Sequence, residues 1–392
     1  MVDLDTINKQ GVSLIISARN EAKTLPLTVG HLFEEMYTTG ITKGEVIVVD
    51  NGSTDETSRF FAWKAVEKGQ HWKYQYSPRG MVYEGKLRIL YDPVMSNVGA
   101  RNKGVNYAKY ENIIFADAHI ITRYGTILST CDTLNKFGGI VHSPVSWLGS
   151  SSENPQPSYQ YSWKVGEKIW GTWNRLKISD KPFYIPLSGH CWLGVKKKEF
   201  LEKGGYPLAQ RVYGGGEPYL PSVWWMTGST VVCDPNSLVY HLSAGRGYSW
   251  HSNDLIHNMM LVAYVLGGME WIDRILITYI NKVGGLSPTL ELLYNEALAE
   301  GKSLKKWLDE HKIMTFEEML GLNKENDCNK CVKRRHPEPH VMRIWDTKNE
   351  ELYGYHRSYV TDFKLRKDQN GVFIGNTEIF VPEAQKLARL YV

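Results

Sequence analysis

The chain has 392 residues, 42% of them hydrophobic and 22% charged, with a formal charge of +4. This is an ordinary globular composition, large enough for one α/β domain with an appendage, and it excludes a disordered or fibrous protein. Five cysteines exclude a disulfide framework, and the mild charge permits anionic ligands without indicating nucleic acid by itself.

The start, Met1-Val2-Asp3-Leu4-Asp5, has neither a basic nor an apolar leader region, so no signal peptide is expected. The richest apolar run, Met259–Gly267, falls short of the roughly 20 residues that a membrane span needs. A reducing, cytoplasmic setting is therefore expected.

Val12–Ser17 reads as an apolar strand that breaks into Ala18-Arg19-Asn20-Glu21. Leu25, Val29, Leu32, Phe33 and Met36 then recur at helical spacing. Glu45–Asp50 is a second strand, and Ser53 followed by Glu56 has the pattern of a capping box, which predicts a helix beginning there. Strand, helix, strand, helix implies a mainly parallel sheet with helices on both faces, but no Gly-x-Gly-x-x-Gly follows the first strand, which argues against a dinucleotide site.

Asn97–Gly104 opens another helix, reaching about Tyr110. Ile113-Ile114-Phe115-Ala116 then ends abruptly in Asp117-Ala118-His119. A buried strand has period two, so Asp117 and His119 point to one side at its carboxyl end, where open α/β sheets bind ligands, and both could reach one divalent ion. The plainer alternative is a strand running into a polar turn.

Gly125–Lys136 reads as a helix and Gly139–Val145 as a strand. From about 147 to 185 the composition shifts to Ser, Pro and Gln with Trp147, Trp163, Trp170 and Trp173, the mark of a surface insertion that could carry acceptor contacts. Regular signals return at Gly189–Val195 with a short helix to Lys203. Pro218 is placed to start a helix reaching about Thr227, Thr230–Cys233 and Leu238–His241 read as strands, and Asn253–Asn281 reads as one helix with more to about Leu320. The expected division is a catalytic domain over 1–250, a helical extension over 251–322 and a small β-rich cap over 323–392.

Taken together, Val12–Ser17, Val46–Asp55, Gly99–Gly104 and Ile113–His119 resemble the sugar-nucleotide half of glycosyltransferases with the Rossmann-like GT-A fold. Gly189–Gly194, Phe200, Gly204-Gly205-Tyr206, Gly214-Gly215-Gly216-Glu217 and Val239-Tyr240-His241 follow in the order seen in the polypeptide N-acetylgalactosaminyltransferases. That family carries Asp-x-His, Trp-Gly-Gly-Glu-Asn and Val-x-His motifs. This chain departs from it with Gly214 in place of Trp and Pro218 in place of Asn, and no lectin domain is expected.

The resemblance implies a UDP-sugar donor of the UDP-GalNAc, UDP-GlcNAc or UDP-glucose type, with Asp117, His119 and His241 holding Mn2+ or Mg2+. Asp50 would meet the uracil or ribose, Arg101 the base or diphosphate, and Ser17 and Arg19 would line the nucleotide pocket. The plainer alternatives are a turn carboxylate for Asp50 and a solvated helix face for Arg101. Gly215 and Gly216 would let backbone approach the sugar, and Glu217, catalytic with Asp117, would contact donor or acceptor; alternatively Glu217 is a helix N-terminal charge. Inverting enzymes of this fold often place an Asp base after such a Glu. Pro218 stands there, so retention is expected.

Cys328, Cys331, His336 and His340 have the spacing of a small zinc knuckle or are part of a basic loop with Lys333-Arg334-Arg335. The basic run and the tryptophans place a hydroxymethylated pyrimidine in DNA first among expected acceptors, in a host cytoplasm if the protein is viral. Protein or cell-wall acceptors, or a non-catalytic nucleic-acid-binding role, are the alternatives.

Overall fold

The computed structural model describes residues 2–57, 83–92, 96–148, 157–164, 170–175, 177–242 and 248–322, with the strands at 72–74, 365–368 and 371–374. The zinc-type cluster at Cys328, Cys331, His336 and His340, and the basic run Lys333–Arg335, lie outside the described residues.

The chain opens with α1 (Leu4–Gln10), β1 (Val12–Ala18), α2 (Leu25–Thr38) and β2 (Gly44–Asp50), followed by β3 (Trp72–Tyr74), β4 (Tyr83–Tyr91) and α3 (Asn97–Tyr107). Then come β5 (Asn112–Asp117), β6 (Ile120–Thr122), α4 (Thr126–Phe137), β7 (Ile140–His142) and β8 (Val145–Leu148). The aromatic segment contributes β9 (Gln160–Lys164), β10 (Trp170–Asn174) and β11 (Phe183–Tyr184). After it stand β12 (Trp192–Lys196), α5 (Lys197–Glu202), α6 (Gly216–Met226), β13 (Val231–Cys233) and β14 (Val239–Leu242). Four helices follow: α7 (Ser252–Gly267), α8 (Met269–Val283), α9 (Pro288–His311) and α10 (Phe316–Gly321).

The main sheet runs β11-β13-β7-β12-β5-β1-β2-β4-β3. Its centre, β4-β2-β1-β5, is parallel, and β12 enters antiparallel between β5 and β7. Successive side chains point to opposite faces. Ile15, Ile47, Ile113 and Phe115 therefore join one apolar cluster with α3, while Leu14, Ile16, Val46, Val48, Ile114 and Ala116 join another with α2. Each fully buried side chain of this kind contributes about 1.5–3 kcal/mol. At Gly104 a Cβ would lie 2.3 Å from Ile15 Cγ2, so glycine lets α3 sit directly on β1.

The first cluster continues without a break from the sheet through Met259–Leu266 of α7 to Phe316 and Leu322. No helix among the described residues is long and apolar enough to cross a membrane.

Two local expectations are corrected, and a third, the helix expected from about Ser53, lies mostly outside the described residues; over 51–57 the chain forms an irregular turn in which the Ser53 amide donates to Asp50 Oδ1 at 2.9 Å. The helix read over Asn253–Asn281 is two helices broken at Gly268, whose φ of +79° is a left-handed conformation that glycine supplies cheaply. The aromatic segment is not only surface, since Tyr159 and Tyr161 are buried and β9 pairs with β10.

Candidate active site

At the carboxyl ends of β1 and β5 lies a cavity of about 990 Å³. Asp117 ends β5, in register with Ser17 of β1. His119 follows on the turn into β6, and β6 pairs antiparallel with β14 so that Ile120 faces His241. The Leu242 amide donates to His119 O at 3.1 Å and locks this junction. Sheet pairing, not sequence proximity, therefore brings His241 to Asp117.

The carboxylate is held on both sides. His241 Nε2 donates to Asp117 Oδ2 at 3.2 Å, and Arg101 Nη2 donates to Asp117 Oδ1 at 3.1 Å and to His190 O at 2.8 Å. Burial alone would raise the Asp117 carboxyl, but the His241 hydrogen bond and the Arg101 charge outweigh it and hold the group well below the usual carboxylate range. Burial pushes His241 downward, toward the neutral imidazole. The rings of His119 and His241 stand edge to face at 4.7 Å, and His119 Nδ1 pairs with Glu21 Oε1 at 3.0 Å.

Among the described residues, Asp117, His119 and His241 offer ligand atoms that all lie within 4.8 Å of one another. One carboxylate and two imidazoles are a donor set that fits a divalent transition ion. Glu21 against the far nitrogen of His119 is the kind of outer carboxylate that orients a metal-binding imidazole, and His241 Nδ1 is buried without a partner.

Ser17, Arg19, Gly215, Gly216 and Glu217 all line the cavity. Ser17 Oγ donates to Asn97 Oδ1 at 2.6 Å. Arg19 has Nε and Nη1 buried without partners, and its guanidinium lies 5.2 Å from the Tyr248 ring centroid. Asp50 is 1% exposed and lies off the cavity wall; its carboxylate caps the turn at Ser53, and Asn51 lines the cavity. Arg101 is fully buried and also absent from the wall, supporting Asp117 from behind, with Nε donating to Asn97 Oδ1 at 3.2 Å.

Glu217 sits in the first turn of α6 after Gly214 and Gly215, whose φ values of +88° and +84° require glycine. A Cβ at Gly216 would lie 2.7 Å from His190 Cε1 and 2.8 Å from Val98 Cγ1. Burial raises the Glu217 carboxyl, and the hydrogen bond from Tyr161 works against that rise. Trp147, Tyr161 and Trp173 also line the cavity, with Trp147 4.7 Å from the His241 ring because β8 runs parallel to β14.

Tyr161, Glu21, Asn97, His190 and Asn258 were not singled out from sequence. Asn258, on α7, is fully buried; its Nδ2 donates to the carbonyls of Arg211, Tyr213 and Gly214, and its Oδ1 accepts the Arg211 amide at 2.8 Å. Glu21 lies in the polar break that follows β1, and His190 lies within the Gly189–Gly194 stretch, which were usable signals. The other three carried none.

Residues 13–191 match the model of glycosyl transferase family 2. Polypeptide N-acetylgalactosaminyltransferase 5 of Caenorhabditis elegans is 24% identical over 322 residues, covering 77% of this chain and 48% of that protein. N-acetylgalactosaminyltransferase 6 of Drosophila melanogaster is 24% identical over 278 residues, covering 67% of this chain and 38% of that protein. The chain thus spans half or less of the length of these relatives. The crystal structure of GalNAc-T7 with UDP, GalNAc and Mn2+ superposes with a TM-score of 0.59 at 16% identity, covering 84% of this chain and 58% of that one, and shares its fold. The chain thus shares the mixed α/β fold of GT-A glycosyltransferases and is similar, over much of its length, to the polypeptide N-acetylgalactosaminyltransferases.

Proposed function

We propose that the protein transfers a sugar from a UDP-sugar to a hydroxyl group, using a divalent ion, Mn2+ or Mg2+, held by Asp117, His119 and His241. The observation that carries this reading is the convergence of those three side chains from β5, the following turn and β14 on the wall of one cavity. When bound, the ion would stabilise the negative charge that grows on the diphosphate as the glycosidic bond breaks. Arg19, with two unpartnered guanidinium nitrogens at the cavity wall, suits a phosphate oxygen or a base carbonyl. Glu217 suits a hydroxyl of the transferred sugar.

Retention is the stereochemistry this arrangement favours. The carboxylates on the described cavity wall are Glu21, Asp117 and Glu217. Glu21 is paired with His119, Asp117 with Arg101 and His241, and Glu217 accepts from Tyr161, while Pro218 follows Glu217 where an inverting base would stand.

For the acceptor, the reading of DNA rests on Lys333–Arg335, outside the described residues. The described wall supplies the aromatic faces of Trp147, Tyr161 and Trp173, which suit a ring-bearing acceptor, sugar or base. The test is incubation with UDP-GalNAc, UDP-GlcNAc and UDP-glucose. Release of UDP that stops with EDTA and returns with Mn2+ is expected, and turnover indifferent to chelation contradicts the reading.

A further inference from the structure

Glu217 and Tyr161 come from different parts of the chain, yet the Tyr161 hydroxyl donates to Glu217 Oε2 at 2.8 Å. The tyrosine is tightly housed. Its carbonyl accepts the Leu187 amide at 3.1 Å, and its ring is 4.9 Å from that of Trp173, its cross-strand partner. Beside it on β10, a Cβ at Gly171 would lie 2.0 Å from Tyr161 Cε1, so only glycine leaves the ring where it is. Burial and the neighbouring Glu217 charge both push the Tyr161 hydroxyl upward, which keeps it a donor.

We infer that Tyr161 is a positioning residue: its hydroxyl fixes the Glu217 carboxylate in one orientation toward the transferred sugar, and thereby sets which UDP-sugar the site prefers. The inference rests on the donor reading proposed above. A carboxylate has two oxygens with several acceptor directions, and a bond that occupies one of them limits where the other can meet a sugar hydroxyl. A site that binds a hydroxyl at a fixed point discriminates against the epimer that places it elsewhere. The strand pair β9/β10 then has a selective role, with Gly171 and Trp173 holding the Tyr161 ring.

The experiment compares wild type, Tyr161→Phe, Glu217→Gln and the double variant. It measures Mn2+-dependent UDP binding by calorimetry, and kcat and KM for hydrolysis of UDP-GalNAc and UDP-GlcNAc, which are epimers. UDP affinity should stay within about twofold in Tyr161→Phe, while kcat for the preferred donor falls about tenfold to a hundredfold and the preference between epimers collapses. The double variant should lose no more than Glu217→Gln alone. Gly171→Ala, which displaces the ring but keeps the hydroxyl, should show the same loss of preference and serves if Tyr161→Phe does not fold. Unchanged kcat and preference in Tyr161→Phe, or losses that multiply in the double variant, overturn the inference alone. Wild type that fails to bind UDP with Mn2+ overturns the donor reading and this inference with it.

Discussion

Arg101 and Asp117 form an ion pair at 3.1 Å in which the arginine is walled off from the cavity and the carboxylate faces it. A buried guanidinium behind a metal-binding carboxylate sets that group's orientation without touching the donor. Arg101→Met should therefore cost about 3 kcal/mol of stability, because it leaves Asp117 without its cationic partner. It should also weaken Mn2+-dependent UDP binding about tenfold to a hundredfold. Denaturant unfolding and calorimetry check the two effects separately.

Asn258 ties α7 to the glycine turn before Glu217 through its four backbone hydrogen bonds. Replacing it with Ala leaves buried carbonyls unpaired, at an expected cost of about 3 kcal/mol in urea unfolding. Donor turnover should fall more than UDP affinity, since the turn lies on the Glu217 side of the cavity.

Retention predicts that an α-linked donor gives an α-linked product. The anomeric coupling constant of the product, read by NMR, decides it, and a β-linked product contradicts the commitment of Glu21, Asp117 and Glu217 to their partners.

Beneath the site, Glu35 of α2 accepts the Ile127 amide at 2.7 Å and the Thr122 hydroxyl, and burial pushes its carboxyl up to about 7 from an ordinary 4.5. The folded state then holds more protons than the unfolded state between those values. The Glu35 contribution is present below pH 4.5 and is lost as pH rises through 7. His31, which meets Thr122 Oγ1 at 2.7 Å, is pushed by burial down to about 4 and has the opposite slope: its contribution is present above 6.5 and lost as pH falls through 4. The difference between wild type and Glu35→Gln isolates the acid. The stability of the variant relative to wild type should grow by on the order of 3 kcal/mol from pH 4.5 to 7.

Strands β1, β2 and β5 were legible because their apolar runs end sharply in polar residues, and a period of two then placed Asp117 and His119 together. His241 was legible only through resemblance, since nothing local to β14 says that it pairs with β6. The resemblance put Asp50 and Arg101 on the ligand; in the structure the Asp50 carboxylate accepts from the Ser53 amide and Arg101 donates to Asp117. Tyr161 was hidden because its role comes from the β9/β10 register and from Gly171, in a segment whose composition reads as loop. Gly268 broke a helix that apolar residues on both sides made continuous in the pattern.

The central claim is that Asp117, His119 and His241 bind UDP through a shared divalent ion, and calorimetry of UDP binding with and without Mn2+, on wild type and His241→Ala, tests it most directly. The account predicts Mn2+-dependent binding to wild type and its loss in His241→Ala with the melting temperature of the metal-free protein little changed. Equal Mn2+-dependent affinity in the two proteins would contradict it.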